Sequence, residues 1–397
     1  MTKRTMEELD VAGKRALVRV DFNVPMEQGK ERLEDYDHRL KATIPTIRHL
    51  LDRRCRVVLC SHLGRPRGRV VEDLRMAPVA DRLSGLLGRP VRSLPDCIGP
   101  AVRAAVEGME PGTAVMLENL RFHPGEEKNE PEFARSLASL ADVFVMDAFA
   151  VAHRAHASTT GVPACLPSAA GLLMQREMEM LGRALSAPQK PLAAVMGGAK
   201  VSDKILVLEN LLPNLDRLLI GGGMAVTFLK SQGHPTGASA VEEERVEFAS
   251  RILQRARDDG IAVHLPEDVI VSDGFTGSPA HVRTVRAEEV PDGWYVMDIG
   301  ERSSAAFAQG LDGCGTVVWN GPMGVFEFPS FKEGTRRVGE AVADLESTTI
   351  VGGGSTAEAV EELGLAERMT HVSTGGGASL EFLGGRELPG IAALPDG

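Results

Sequence analysis

The sequence predicts an α/β protein with two doubly wound parallel-sheet domains joined by a connecting helix, and three observations predict it. The chain has 397 residues, well beyond the roughly 100–200 that one domain usually takes. Short β-branched runs recur along it, each followed by a polar or glycine-rich loop and a longer segment of helical period, which is the alternation of βα units on a parallel sheet. There are ten such runs, too many for one ordinary sheet, so two sheets are expected.

The first series is ALVRVDFNV (16–24), RVVLCS (56–61), AVMLENL (114–120) and VFVMDAF (143–149), expected as strands of a domain over 1–170. In GLLMQREMEMLGRALSAPQKP (171–191), apolar residues fall at 172, 173, 174, 178, 180, 181 and 185. That spacing, ended by Pro188 and Pro191, predicts a helix over 171–186. It is read as the connector, although a surface helix of either domain would show the same pattern. The second series is LAAVMGG (192–198), RLLIGGG (217–223), YVMDIG (295–300), TVVWNGP (316–322), TTIVGGG (348–354) and HVSTGGG (371–377), which places the second domain at 187–379. The end of the tail, 384–397, carries no strand or helix signal, so it must drape over a surface or move.

The formal charge is −11 and the pI about 5.5, which argues against nucleic acid or an anionic membrane as partner. The charge is uneven: residues 1–185 hold 27 basic and 25 acidic residues, residues 186–397 hold 17 and 30. Two domains with different ligands would divide in this way. No run approaches the ~18 apolar residues of a membrane helix, and MTKRTMEELD has no signal-peptide core, so a soluble cytoplasmic protein is expected. The five cysteines form no CxxC pair, which argues against a disulfide framework or a zinc site.

Ligands of open α/β sheets bind beyond the carboxyl ends of the strands. In the first half those positions carry Asp21 and Asn23, His62 and Arg65, Arg121, then His153, Arg154 and His156. Arg39 is placed in the polar stretch leading into the next helix. Arginines converging on one sheet edge suggest a phosphate or carboxylate, which the guanidinium fork binds bidentately. A single arginine is more often half of a surface ion pair; the convergence argues otherwise. The three histidines are read first as neutral hydrogen-bonding or packing residues.

The second half holds the glycine excess in five loops, GGAKVSDK (197–204), GGGMAVTFLK (221–230), WNGPMGVFE (319–327), GGGSTAEAV (352–360) and STGGGASLE (373–381). Four join a strand to an expected helix start, where absence of Cβ lets backbone N–H groups approach an anion. Tight turns alone could explain any one of them. No GxxxxGK[ST] loop and no helix-opening GxGxxG occurs, which weakens the P-loop and dinucleotide readings. Lys200 and Lys204 stand four apart and on a helix would share a face at its N-terminus. Two ammoniums against the dipole are unfavourable without an anion, so both are read as phosphate ligands.

RVDFNVP (19–25), SHLGRP (61–66), ENLRFHPGEE (118–127), AHRAHAST (152–159), GGAKVSDK, GGGMAVTFLK, VVWNGPMGVFE (317–327) and HVSTGGGASLE (371–381) resemble, in order, the successive motifs of the phosphoglycerate kinase family. The resemblance implies two Rossmann-like domains joined by a helix, with 3-phosphoglycerate on the first, ATP or ADP with Mg²⁺ on the second, and the tail, 380–397, returning to the first. It implies a monomer, with no nucleic-acid or membrane partner. It gives the phosphoglycerate to Asp21, Asn23, Arg39, His62, Arg65, Arg121 and Arg154. It gives the phosphoryl group in flight to Lys200, the nucleotide phosphates to Lys204, the base pocket to Gly222, Gly300, Asn320 and Pro322, and the ribose to Glu327. Phosphates and magnesium fall to the 352–356 loop, that is Gly352, Gly353, Gly354, Ser355 and Thr356. A carboxylate nucleophile is already ionised at neutral pH, so the chemistry reduces to aligning two anions and neutralising the transferred group. Arg39 and Lys200 suit that role, with the amides around Gly353 and Gly376 adding oriented dipoles. Ligands on different domains imply closure about the connector, which also excludes water.

The sequence departs from the family at three places. Ser355 stands where the family has the aspartate that ligates magnesium, which predicts weaker metal–nucleotide binding. Ala150 replaces a glycine, which matters if that position needs positive φ. Glu301 replaces a proline near the expected base pocket, and Glu301 or Glu358 is a candidate substitute metal ligand. The favoured reading is a working phosphoglycerate kinase of glycolysis or gluconeogenesis. The alternative is a weakened or repurposed relative that binds phosphoglycerate or nucleotide as a regulatory module, or phosphorylates a related carboxylate. A dehydrogenase comes third.

Overall fold

The computed structural model describes residues 3–24 and 37–397; Pro25, the last residue of the RVDFNVP motif, lies outside them. The chain divides into two compact units, Met1–Met178 with Glu387–Gly397, and Glu179–Arg386. The first unit contains β1 (Arg15–Val20), β2 (Arg56–Cys60), β3 (Val91–Ser93), β4 (Ala114–Met116), β5 (Val143–Asp147) and β6 (Ser168–Ala170). They form one parallel sheet in the order β3-β4-β2-β1-β5-β6. Helices such as Asp37–Asp52 cover it, their Leu40, Ile47 and Leu50 packing on Val18, Val57 and Val145. Burial on both faces is why the central strands read as continuous apolar runs.

The second unit contains β7 (Leu192–Met196), β8 (Arg217–Ile220), β9 (Ala262–His264), β10 (Asp268–Ser272), β11 (Val282–Arg286), β12 (Tyr295–Ile299), β13 (Thr316–Asn320), β14 (Thr348–Gly352) and β15 (His371–Val372). Six of them make a second parallel sheet, β15-β14-β13-β7-β8-β9, with Trp319, Phe307 and Val351 at its core. In both sheets the strand order reverses at the middle, beside β1 and beside β7, the position at whose carboxyl-end side open α/β sheets bind ligands.

Several sequence expectations are corrected. YVMDIG was placed in the parallel series, but β12 pairs antiparallel with β10, which pairs antiparallel with β11, in a separate three-stranded sheet. β11 is mostly exposed, with only Val285 packed on the small core of that sheet, so VRTVR carries no apolar run to announce it. The expected strands also end earlier, because their glycine and polar ends are loops: 114–120 is strand only to Met116, and Leu120–Phe122 is a single 3₁₀ turn. Arg39 lies within the first turn of helix Asp37–Asp52 and not before it. Ala150 is not among the residues of positive φ, so it needs no backbone adjustment.

The predicted connector is a helix, Leu172–Ser186, and the division between the units falls within it. The tail is more ordered than its composition suggests. Gly377–Leu383 is a helix of the second unit, and Pro389–Ala392 a short helix of the first. Lys3 Nζ donates to the Leu394 carbonyl and to Asp396 Oδ1, both at 2.9 Å, and Gly390 N donates to the Ala152 carbonyl at 2.8 Å. Leu388, Ile391 and Leu394 are buried, which offsets the entropy of ordering a segment without strong local propensity. Among the described residues no helix is long and apolar enough to cross a membrane.

Candidate functional site

In the first unit the carboxyl ends of β1, β2, β4 and β5 bring a cationic cluster together. Arg121 follows β4 in the 3₁₀ turn, which Asn119 caps by accepting from Arg121 N at 3.1 Å. Its side chain is buried and donates through Nη1 to the Gly64 carbonyl at 2.8 Å, while Nη2 is buried with no hydrogen-bond partner. Burial first, then the Arg154 guanidinium, push Arg121 down to about 10, so it remains a cation at neutral pH. Arg121 Nε lies 3.4 Å from Glu127 Oε1, but a buried guanidinium with one N–H group left unpaired beside a second arginine is a costly arrangement that a bound anion would relieve.

His62 follows β2 and is buried between Arg19, whose Nη2 lies 3.1 Å from His62 Nδ1, and Asp21, whose Oδ1 lies 3.8 Å from it. Burial and the cations Arg19, Arg121 and Arg154 hold its imidazole well below its ordinary range, so it is neutral. His156 is likewise pushed down to about 4 by burial and by Arg121 and Arg19. Arg39 Nη1 donates to Asp21 Oδ2 at 2.7 Å, and Asn23 Oδ1 accepts from Gly64 N at 2.8 Å. Asp21 and Arg39 are therefore tied to each other and Asn23 to the Gly64 turn, while His62 is held by Arg19. Arg154 is half-buried and donates to His153 Nε2 at 3.3 Å; Arg65 projects into solvent.

Arg19, Glu126 and Ser158 were not singled out from the sequence. Ser158 Oγ accepts from Arg19 Nε at 2.8 Å and donates to Glu126 Oε1 at 2.5 Å, and Ser158 N donates to Glu126 Oε2 at 3.0 Å. All three residues are buried. The available signal was Arg19 itself, a charge inside the apolar run ALVRV, because a charge on a buried strand must be paired or hydrogen-bonded.

In the second unit the carboxyl ends of β7, β8, β13 and β14 form the corresponding arrangement. Lys204 Nζ donates to Asn320 Oδ1, Asn320 Nδ2 donates to the Gly352 carbonyl at 2.7 Å, and Thr356 Oγ1 accepts from Gly321 N at 2.6 Å. Burial pushes the Lys204 ammonium down to about 8. The two lysines do not share a helix face, correcting that expectation: the helix after β7 is Ile205–Leu211, Lys204 caps it, and Lys200 is exposed in the preceding turn. The turn GGAKVS is held by Glu242, whose Oε2 accepts from Ser202 N at 3.1 Å and also from Val201 N.

Gly222 takes φ +64°, and a Cβ there would lie 2.6 Å from Gly198 N and 2.7 Å from the Pro322 carbonyl, so only glycine lets these loops meet. Gly222 and Gly223 line a narrow apolar slot with Val226, Met297, Ile299 and Met323. Pro322 is buried near it, whereas Glu327 is exposed. Gly300 caps helix Glu301–Leu311 and packs against Asp268. Gly353 (φ +90°) and Gly376 (φ +51°) precede helices Gly354–Glu362 and Gly377–Leu383. Gly354 and Ser355 are exposed in the first turn of the former, where free N–H groups and the dipole favour an anion.

Comparison with known proteins identifies the family. The sequence profile of the family described as "Phosphoglycerate kinase" matches residues 6–386. The chain belongs to the phosphoglycerate kinase family. Proteins named phosphoglycerate kinase from Moorella thermoacetica and Thermomicrobium roseum are each 54% identical, over 396 and 391 residues, covering 100% and 98% of this chain and 100% and 99% of theirs. Solved structures of phosphoglycerate kinases from Coxiella burnetii and Pyrococcus horikoshii superpose with TM-scores of 0.87 and 0.86 at 42% and 33% identity, each covering 98% of both chains.

Within this phosphoglycerate kinase family fold, Ser355 leaves the 352–356 loop with hydroxyls and amides but no carboxylate. Glu301 Oε1 is paired with Arg337 Nη1 at 2.9 Å, and Glu358 is exposed. The donor set of the loop suits phosphate oxygens better than a bare divalent cation.

Proposed function

We propose that this member of the family catalyses the reversible transfer of a phosphoryl group between ATP and the carboxylate of 3-phosphoglycerate, giving ADP and 1,3-bisphosphoglycerate. The observation that carries the reading for this chain is the unpaired Nη2 of buried Arg121 within a cationic strand-end cluster, an anion site built at the expense of local electrostatics. In this reading Asp21, Asn23, Arg39, His62, Arg65, Arg121 and Arg154 hold the phosphoglycerate. Asp21 serves mainly by aiming Arg39, to which it is paired.

The nucleotide belongs to the second unit. Lys204 and the amides of the 352–356 loop take its phosphates, the slot beside Gly222, Gly300 and Pro322 takes the base, and Glu327 takes the ribose. Asn320 acts here chiefly by orienting Lys204. Magnesium enters with the nucleotide as part of the substrate, carried by phosphate oxygens and helped by the Ser355 hydroxyl, and it supplies charge neutralisation when bound. Because the acceptor carboxylate is ionised at neutral pH, no general base is needed. Arg39 and Lys200 stabilise charge on the group in transfer, and the amides at Gly353 and Gly376 add fixed dipoles.

A coupled assay with ATP, Mg²⁺ and 3-phosphoglycerate tests this. Turnover that depends on all three supports it. Phosphoglycerate binding without turnover at any magnesium concentration would favour the alternative, a binding module whose lost carboxylate at position 355 has cost it catalysis.

A further inference from the structure

Arg19 is 1% exposed on a strand whose other buried residues, Ala16, Leu17, Val18 and Val20, are all apolar, and none of the substrate roles above uses it. Its guanidinium donates through Nε to Ser158 Oγ and through Nη1 to the Val20 carbonyl, and Nη2 lies 3.1 Å from His62 Nδ1. A guanidinium has donors and no acceptor. An N–H on His62 Nδ1 would therefore face another N–H at 3.1 Å, whereas a lone pair there accepts. The competing carboxylate, Asp21 Oδ1, is at 3.8 Å from Nδ1, beyond hydrogen-bond reach, and its partner oxygen is taken by Arg39.

We propose that Arg19 is a positioning residue: through its contact with Nδ1 it fixes His62 in the tautomer protonated on Nε2, so that His62 offers the phosphoglycerate a neutral N–H donor. Behind it, Ser158 and the buried carboxylate of Glu126 hold the Arg19 fork in place. The groups facing His62 from the neighbouring elements are Arg19, Arg121, Arg154, His156 and Asp21. Four of these five are cationic side chains or imidazoles, so an imidazolium is opposed from several sides. The tautomer is a property of the free protein, while its use in binding rests on the reading that His62 touches phosphoglycerate.

The test uses full-length protein labelled with ¹⁵N in histidine, the His62 signals being assigned by their absence in His62→Gln. Without substrate, His62 is expected to stay neutral with its proton on Nε2 from about pH 5.5 to about pH 8, where an ordinary histidine would titrate. A proton on Nδ1, or an imidazolium within that window, overturns the proposal. Because Arg19→Met takes away the cation that offsets the buried Glu126 carboxylate across Ser158 and could prevent folding, the second variant is Arg19→Met with Glu126→Gln, which removes both charges together. In it the His62 signals should shift to a mixed or titrating state, and KM for 3-phosphoglycerate should rise several-fold at pH 8 and recover in part at pH 6. A purely structural arginine would lower kcat and stability while leaving the tautomer and the pH profile of KM unmoved, and that result rejects the positioning role. If His62→Gln leaves KM unchanged, the use of His62 as a ligand fails. The substrate-free spectra still decide whether Arg19 sets the tautomer.

Discussion

Lys204 and Asn320 are locked to each other at the carboxyl ends of adjacent strands β7 and β13, and Asn320 is locked in turn to the Gly352 carbonyl at the end of β14. One amide side chain thus ties three strand ends. It also supplies the buried ammonium with an oxygen, and burial outweighs the attraction of the neighbouring Asp203 carboxylate in the Lys204 titration. In the proposed reading this arrangement keeps a cation in reserve for a ligand that brings its own negative charge.

The first prediction follows from that reserve. Polyphosphate beside Lys204 favours the ammonium, so nucleotide binding should take up a proton wherever the free protein has lost it. With Lys204 near 8, ADP affinity measured by calorimetry should be level from about pH 6 to about pH 7.5. Above pH 8 it should weaken, by at most about tenfold per pH unit for a single linked proton. Lys204→Met should bind weakly at every pH and show no slope from this group. A wild-type Kd unchanged between pH 7 and pH 9 would mean that Lys204 does not face the phosphates.

Arg121 should behave as a residue held for binding and not for stability. Hydrogen bonds to charged groups are worth about 1.5–3 kcal/mol, so Arg121→Met should raise KM for 3-phosphoglycerate about 10- to 100-fold. Since the guanidinium is desolvated and opposed by Arg154, which offsets its 3.4 Å pair with half-exposed Glu127, its removal should leave the thermal midpoint about level. A fall in stability matching the loss of binding would identify a structural arginine instead.

The contrast between Arg121 and Arg19 shows what the sequence could reveal. Arg121, His62 and Arg154 follow apolar runs, so the rule that ligands bind past strand ends finds them. Arg19 lies inside such a run, and its role depends on Ser158 and Glu126, which are remote in sequence and meet it only in the folded sheet. The lysines illustrate the opposite error. Spacing suggested one helix face for Lys200 and Lys204, but the glycine turn GGAKVS, held by Glu242, delays the helix to Ile205 and leaves one lysine exposed and the other buried. The antiparallel sheet is hidden for a related reason: β11 is mostly exposed, with only Val285 packed on the sheet's small core, so it has no hydrophobic alternation to read.

Asp147 makes a prediction about stability. It closes β5, and its Oδ1 accepts from Leu173 N at 2.9 Å and Met174 N at 3.2 Å, capping helix Leu172–Ser186, while its buried Oδ2 has no partner. Burial raises it to about 6 despite the Thr46 hydroxyl and those two backbone donors. The folded state keeps the proton up to that pH, whereas the unfolded chain loses it near pH 3.9, so this group lowers stability as pH rises from about 4 to about 6. Asp147→Asn removes the titration. The stability of the variant relative to wild type, from urea denaturation, should therefore rise between pH 4 and pH 7, by about 3 kcal/mol if the whole shift is expressed. A relative stability constant across that range would refute the assignment.

Gly222 should tolerate no side chain, because Gly222→Ala places Cβ against the backbone of Gly198 and Pro322 at positive φ. The loops would have to part just where the nucleotide is proposed to bind. Nucleotide affinity should drop at least tenfold with phosphoglycerate affinity unchanged, as calorimetry with each ligand would show. Equal weakening of both would point to global damage.

Ser355 gives the last prediction. It lies exposed in the first turn of helix Gly354–Glu362, so an aspartate there has room, requires no rearrangement of the buried Thr356, and is favoured by the helix dipole by about 0.3–1 kcal/mol. Ser355→Asp should therefore fold at least as well as the wild type. If magnesium is now carried mainly by the nucleotide, an added carboxylate supplies the type of oxygen that magnesium sites at nucleotides ordinarily recruit. The magnesium concentration giving half-maximal rate at saturating ATP should then fall by about tenfold, the effect of roughly 1.4 kcal/mol of added binding. The rate at saturating magnesium should change much less, because Arg39, Lys200 and Lys204 are untouched. An unchanged magnesium requirement in a folded, active variant would place the metal away from this loop, and a rise would show that the new carboxylate repels the phosphates more than it attracts the cation.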